Sequence, residues 1–272
     1  MLIIGERINS SRKPIASAIA AKDSGFLVGE ARAQKDKGAD FIDVNCAIML
    51  DGERESLLWL MVEIQSAVDN VPISIDSPNP EIINEAIKIH KGKPFINSVT
   101  AETDKMRRML GILNKKDVFL IALTVNDKGI PADTADRLKI ARDMVNAMTA
   151  AGMDRDNIYV DPLVKPISSE PEQAKYFLET VKSLKKEKIK TIGGLSNVSY
   201  GLPAREILNT AFLFLAKEAG IDAAIIDPSV ERRLSIVDLQ SEAFGLAKKA
   251  LLGDDVYCMN YIKAFRAGKL NG

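Results

Sequence analysis

The sequence is poor in the residues that most often do chemistry: it holds one histidine, His90, and two cysteines, Cys46 and Cys258. So few ligands exclude the common zinc constellations. Two cysteines are also too few for a disulfide framework, which points to the reducing cytoplasm. Net charge is missing as well, since 37 Lys and Arg offset 37 Asp and Glu. That balance argues against a general nucleic-acid or membrane surface. No basic segment with an apolar stretch behind it opens the chain, and no run of about 18 apolar residues occurs, so neither a leader nor a membrane span is expected. No G-x-G-x-x-G follows the first apolar run, which removes the main support for a dinucleotide-binding open sheet. There is no Pro-, Gly- or Ser-rich linker and no break in composition, so residues 1–272 are expected to form one domain.

What the sequence does hold is a repeated unit. Short apolar or β-branched runs occur at LIIGERIN (2–9), FIDVNCA (41–47), PISIDSPN (72–79), PFINSVT (94–100), VFLIALTVN (118–126), NIYVDPL (157–163), KTIGGLSN (190–197) and AAIIDPS (223–229). Amphipathic stretches such as PEIINEAIKI and EQAKYFLETVKSLKKE separate them. Strand–helix alternation requires a parallel sheet, and apolar runs without strict alternation suit strands covered on both faces. Eight such units in this length predict a single (β/α)8 TIM barrel. Gly38 and Gly152 fall just past periodic segments, where helix C-terminal caps belong. LLWLMVEIQSAV (57–68) is more apolar than one buried stripe needs; core packing explains it most simply, and a homodimer contact is the alternative.

In such a barrel the reactive groups sit at the C-terminal strand ends. Those ends carry Glu6, Arg7 and Asn9; Asp43 and Asn45; Asp76 and Ser77; Asn97 and Ser98; Thr124 and Asn126; Asp161; Ser196 and Asn197; and Asp227. Any one Asp before Pro, as at Asp161 and Asp227, is accounted for by a turn or a helix cap. The set together is harder to dismiss. It holds carboxylates and amides but no histidine, so it lacks a strong nucleophile and an imidazole base. It can read hydrogen-bond patterns: a carboxylate accepts from two adjacent N–H donors, and an Asn amide offers one donor group and one acceptor. A 2-amino-4-oxo pyrimidine edge presents that mixture, so a pterin fits. The glycines Gly193 and Gly194 before Asn197 allow close approach of backbone to a flat ring, or else mark a bend in the barrel.

The motifs GERIN, DVN, IDS, INS, YVDPL and GLSNVS, each at an expected strand end and in this order, resemble those of the pterin-binding barrel methyltransferases. Those enzymes move a methyl group between tetrahydrofolate and a corrinoid protein, and the resemblance runs from Met1 through YCMNYIKAFR. It implies that Asp76, Asn97 and Asp161 hold the pterin ring, and that Asn197 hydrogen-bonds N5 or its substituent. It further implies that Gly194 and Ser196 shape the wall beside the ring, and that Arg205, with Tyr200, reaches the p-aminobenzoyl-glutamate tail. Asn197 and Asp76 are then the catalytic pair, and Asp43 and Asn45 join a proton network. Tetrahydrofolate or 5-methyltetrahydrofolate is the implied substrate, with the cobamide carried by a cobalamin-binding partner, because this chain has no D-x-H-x-x-G pattern of its own. GIPADTADR (129–137) and the loops after strands one, two and eight are expected to form the docking rim.

Two rival functions deserve weight. Dihydropteroate synthase shares the pterin barrel but calls for a basic residue on strand seven and an R-x-H-type end to strand eight; here those strands end in GLSN and IIDPS. A folate-binding protein without turnover would need the same pterin contacts and no methyl transfer. A Schiff-base aldolase is disfavoured, because Lys165 lies beyond the Asp161–Pro162 turn. His90 ends a helix before Gly92 and is expected to be structural.

Overall fold

The computed structural model describes residues 1–113 and 117–270. Eight strands form one parallel sheet: β1 (Leu2–Asn9), β2 (Phe41–Asn45), β3 (Ile73–Asp76), β4 (Phe95–Thr100), β5 (Phe119–Leu123), β6 (Ile158–Asp161), β7 (Lys190–Thr191) and β8 (Ala223–Ile226). The helices between them are α1 (Lys13–Ala20), α2 (Ser24–Asp36), α3 (Glu53–Ala67), α4 (Pro80–Ile89), α5 (Thr103–Leu113), α6 (Thr134–Ala150), α7 (Gln173–Lys186) and α8 (Arg205–Ala219). Three more, α9 (Ser229–Leu234), α10 (Glu242–Leu251) and α11 (Met259–Arg266), follow β8. Strands pair in the order β7-β6-β5-β4-β3-β2-β1-β8. The remaining seam is bridged where Asp222 N donates to Thr191 O at 3.1 Å and Ile225 N to Gly193 O at 2.9 Å. The barrel expected from strand–helix alternation is therefore present.

Alternate side chains of each strand face the interior. The lower interior is filled by Ile4, Phe41, Phe95, Ile121 and Tyr159, among others. Phe95 is its centre, with ring centroids 4.8 Å from Phe41, 4.9 Å from Phe119 and 5.0 Å from Tyr159. The other face of each strand packs on the helices, as Ile42, Ile73, Leu120 and Val160 do. α3 joins that layer through Leu57, Leu60, Met61 and Ile64, while Val62 stays exposed.

Two strands break the alternation. In β1 the register passes from Gly5–Ile42 to Ile8–Val44, so Glu6 and Arg7 together oppose Asp43. In β4 it passes from Ile96–Leu120 to Val99–Ala122, so Asn97 and Ser98 oppose Ile121. Each is an extra residue in one strand, a bulge that re-aims side chains. The β1 bulge is tied down from outside: Gln34 Oε1 accepts the Arg7 N–H at 3.0 Å, and the Arg7 guanidinium reaches Glu30 and Asp227.

Strand seven is far shorter than the 190–197 run suggested. After Ile192 N donates to Val160 O at 2.9 Å the chain leaves the sheet and makes a 3-10 turn over Leu195–Ser199. α8 then opens at Arg205, after Ala204 in the left-handed region with φ 44°. Gly38 and Gly152 take positive φ, 97° and 91°, as expected of caps. His90 is structural: its Nε2 accepts from Ile73 N at 2.9 Å at the entrance to β3, away from the C-terminal mouth.

Gly193 has a packing reason that the sequence did not disclose. A Cβ there would lie 2.6 Å from Cζ of Phe177, a fully buried ring on α7. Gly193→Ala is therefore expected to destabilise the barrel by ~1–3 kcal/mol through overpacking. In urea unfolding, adding Phe177→Leu should recover part of that loss, although Phe177→Leu alone destabilises.

Candidate functional site

The interior rows end at the C-terminal mouth in a cavity of about 390 Å³. Its wall takes Glu6 from β1, Asp43 from β2, Asp76 from β3, Asn97 from β4 and Asp161 from β6. Leu123 of β5, Gly194 after β7 and Ile225 of β8 complete the ring. Strand register aligns its members: Asp76 lies opposite Asn97, and Leu123 opposite Asp161. Ser196, Asn197 and Arg205 enter from the β7–α8 segment.

Hydrogen bonds fix the deeper groups. Asn97 Nδ2 donates to Asp43 Oδ1 at 3.1 Å, and the Asn97 side-chain carbonyl has no partner among the described residues. Asp161 Oδ1 accepts the Leu163 N–H at 2.8 Å, so the carboxyl that closes this turn also lines the cavity. Ser196 Oγ donates to Glu6 Oε1 at 2.6 Å. Asn197 is exposed and its side-chain amide has no partner among the described residues. A Cβ on Gly194 would come within 3.2 Å of Asn197 Nδ2, so glycine here leaves that amide room to move. The Arg205 guanidinium is docked on the same turn, Nε to Ser199 Oγ at 3.0 Å and Nη2 to Ser196 O at 2.8 Å.

An apolar floor beneath carboxyl groups disfavours their charged form. Burial pushes Asp161 up to about 7, against the Leu163 N–H and the charge of Arg137. Burial pushes Asp76 up to about 6, opposed by hydrogen bonds from Asn45 and Asp43. Asp43 is raised well above the carboxylate range by burial and then by the neighbouring charge of Asp76. Glu6 is raised by burial, with the Ser196 hydroxyl opposing. The cavity is thus lined by carboxyls whose neutral form burial favours, and N–H donors on a ligand would draw them toward the ionised form.

Of the residues singled out in the sequence, Asp43, Asp76, Asn97, Asp161, Gly194, Ser196, Asn197 and Arg205 share this cavity. Asn45 stands behind it, its Oδ1 accepting from Ser10 Oγ and Ala47 N, each at 3.1 Å. Tyr200 lies outside the lining and is 68% exposed; its carbonyl accepts from Ser168 Oγ. Asp227 is held by Arg7 and the Ser229 N–H, a structural role. Arg137, within the suggested docking rim, is fully buried. Arg12 and Leu163 line the cavity without having been singled out, and Glu6 and Asn9 were noted only as strand ends. Glu6 was legible as such; its inward aim depends on a bulge that no residue pattern announces.

Comparison with known proteins agrees with this geometry. A family model described as pterin binding enzyme matches residues 5–227. A methylcorrinoid:tetrahydrofolate methyltransferase of Eubacterium limosum is 35% identical, over 99% of this chain and 98% of its own length. Methionine synthase of Mycobacterium tuberculosis is 27% identical over 84% of this chain, which spans only 20% of that enzyme. Among solved structures, dihydropteroate synthase of Xanthomonas albilineans with 4-aminobenzoic acid superposes with a TM-score of 0.64 at 16% identity, covering 87% of this chain and 94% of that one. At that identity the likeness concerns the fold alone.

The raised carboxyl of Asp161 predicts a sign for stability against pH. Its folded value of about 7 exceeds the ordinary 3.8, so between those limits the folded state holds a proton that the unfolded chain has lost. Stability then falls as pH rises through that window, by up to ~4 kcal/mol at ~1.4 kcal/mol per unit. Asp161→Asn keeps the acceptor for Leu163 N–H and removes the titration. Without ligand, the variant should lose much of the decline between pH 4 and 8 and be more stable than wild type at pH 8. Chemical unfolding across that range checks it; an unchanged slope would mean that Asp161 is ionised throughout.

Proposed function

Because this chain belongs to the pterin-binding enzyme family, we propose that it is a methyltransferase acting between N5 of tetrahydrofolate and the cobalt of a corrinoid protein. The observation that carries this reading is the convergence of Asp76, Asn97, Asp161 and Asn197 on one cavity. The full-length relative named methylcorrinoid:tetrahydrofolate methyltransferase supports it. Asp76 and Asp161 accept from the donor-rich edge of the pterin, and Asn97 adds its free carbonyl. The cobamide stays on the partner protein, and both it and the folate are substrates.

Chemistry at N5 then sets what the chain must supply. When tetrahydrofolate attacks methyl-cobalt(III), the N5 lone pair forms the N–CH3 bond, the Co–C pair leaves with cobalt(I), and N5 sheds its proton. In the reverse direction N5 must be protonated or hydrogen-bonded as the bond to methyl breaks. Asn197 supplies a hydrogen bond at the reacting nitrogen but cannot itself transfer a full proton at neutral pH. The proton passes through the carboxyl network of Asp43, Asp76 and, through Ser196, Glu6. A group that titrates near 6, as Asp76 does, is suited to give or take it. The relative's name puts the methylcorrinoid first; carried to this chain, it makes transfer to tetrahydrofolate the physiological direction.

We take residues 1–272 to work as one barrel domain in the cytoplasm, paired as a homodimer through α3 beside its exposed Val62. Among the described residues no helix is long and apolar enough to cross a membrane.

The assay mixes the protein with methylcobalamin and tetrahydrofolate, or with cob(I)alamin and 5-methyltetrahydrofolate, and follows cobalt absorbance. Tight folate binding with no transfer to or from any corrinoid would favour a binding protein instead. Asn197→Ala should slow transfer about a hundredfold or more, the usual loss of ~3 kcal/mol for a donor aimed at developing charge. Folate affinity by calorimetry should change far less. Equal losses in rate and affinity would make Asn197 a binding residue only.

A further inference from the structure

Two guanidinium groups line the mouth, Arg205 at the start of α8 and Arg12 at the end of the β1–α1 turn. Neither has a carboxylate among its described hydrogen-bond partners. Arg205 spends its Nε and Nη2 on neutral oxygens, Ser199 Oγ and Ser196 O. The backbone of Arg12 is fixed by its N–H on Asn9 O at 3.0 Å, beside the Ser11 N–H on Asn9 Oδ1 at 2.9 Å. Its side chain remains exposed above the cavity.

Other cations near the mouth are already neutralised. An adjoining cavity of about 280 Å³ shares Asp76, Asn97 and Ser98 with the main one and holds Lys105 and Arg108. Lys105 pairs with Glu102 at 2.7 Å and Arg108 with Glu81 at 3.0 Å. On the other flank Arg233 pairs with Glu206 at 2.9 Å and Arg7 with Glu30 at 2.8 Å. An arriving carboxylate would have to displace an existing partner at those sites. At Arg12 and Arg205 it would not.

We propose that Arg12 joins Arg205, which the resemblance already directs to the folate tail, in a rim clamp for the two carboxylates of the glutamate, and that Arg12 sets the preference for glutamate-bearing folates over the bare pteroate. The clamp rests on the folate reading above and adds a specificity residue to it. Two cations meet two anions; Arg205 is docked on its own turn and the backbone that carries Arg12 is ordered before the ligand arrives, which lowers the entropic cost of binding.

The test measures dissociation constants of tetrahydrofolate and tetrahydropteroate, which lacks the glutamate, for wild type, Arg12→Gln and Arg12→Lys. Wild type should prefer tetrahydrofolate about tenfold or more, as charge-assisted hydrogen bonds allow. Arg12→Gln should lose about tenfold for tetrahydrofolate and leave tetrahydropteroate within about twofold, with Arg12→Lys between. High salt should shrink the wild-type preference. Equal effects of Arg12→Gln on both compounds, or none on either, would overturn the clamp. So would unchanged folate affinity with slower transfer from a corrinoid protein, which would assign Arg12 to the partner's contact. Failure of wild type to bind either compound would instead remove the folate reading itself.

Discussion

Withholding water from carboxyl groups is the constraint on which this site depends. Glu6, Asp43, Asp76 and Asp161 stand over a floor of aromatic and aliphatic side chains, and burial is the largest influence on each of them. Unliganded, that arrangement favours the neutral acids, because a charge there would be held where solvent cannot stabilise it. A ligand that presents several N–H donors to the same few ångströms reverses that preference. Binding strength and discrimination then share a source: a heterocycle without those donors leaves the carboxyls as they were.

Strand geometry turns this into a particular pattern. Alternation carries Phe41 and Asp43, Phe95 and Asn97, Tyr159 and Asp161 on the same inward rows, so that each of these three rings is followed two positions later by a polar residue. The bulge in β1 allows Glu6 and Asn9 to line the same cavity although they differ in parity. Between them Arg7 turns outward and locks the bulge to α2 and the β8 loop. Stability and function thus occupy successive levels of the same strands, the lower apolar and the upper titratable.

Much of this was legible in the sequence, because a buried strand that ends in Asp or Asn leaves a local signature. That signature put Asp76, Asn97 and Asp161 at strand ends; the family resemblance singled them out from the other ends. What was not legible depends on partners distant in the chain. Asp161-Pro162 and Asp227-Pro228 look alike, yet Asp161 lines the cavity with its charge suppressed while Asp227 is taken up by Arg7 from the opposite end of the chain. Gly193 looked like an allowance for a ligand, but the atom that requires it is on Phe177 of α7. Tyr200 was expected near the tail of the folate, and the 3-10 turn carries it out to solvent. Arg12 has no motif at all; what distinguishes it is a guanidinium with no ion-pair partner among the described residues, near enough to Glu6 for its charge to act there.

The cavity consequently has a direction. Its depth holds carboxyls that want N–H donors, and its rim holds two cations that want anions. Tetrahydrofolate has the matching polarity, with a donor-rich pyrimidine at one end and a dicarboxylate at the other, so the reverse orientation would set carboxylates against buried carboxyls and is repelled. The ring nitrogen that reacts lies between these ends. In the proposed reading, Asn197, on the turn between the Ser196–Glu6 hydrogen bond and the segment leading to Arg205, is the residue that meets this nitrogen. An amide suits that position better than a carboxylate. It offers a hydrogen bond without adding a fifth titrating group to a cavity that already holds four, and it stays neutral whichever way the methyl group travels.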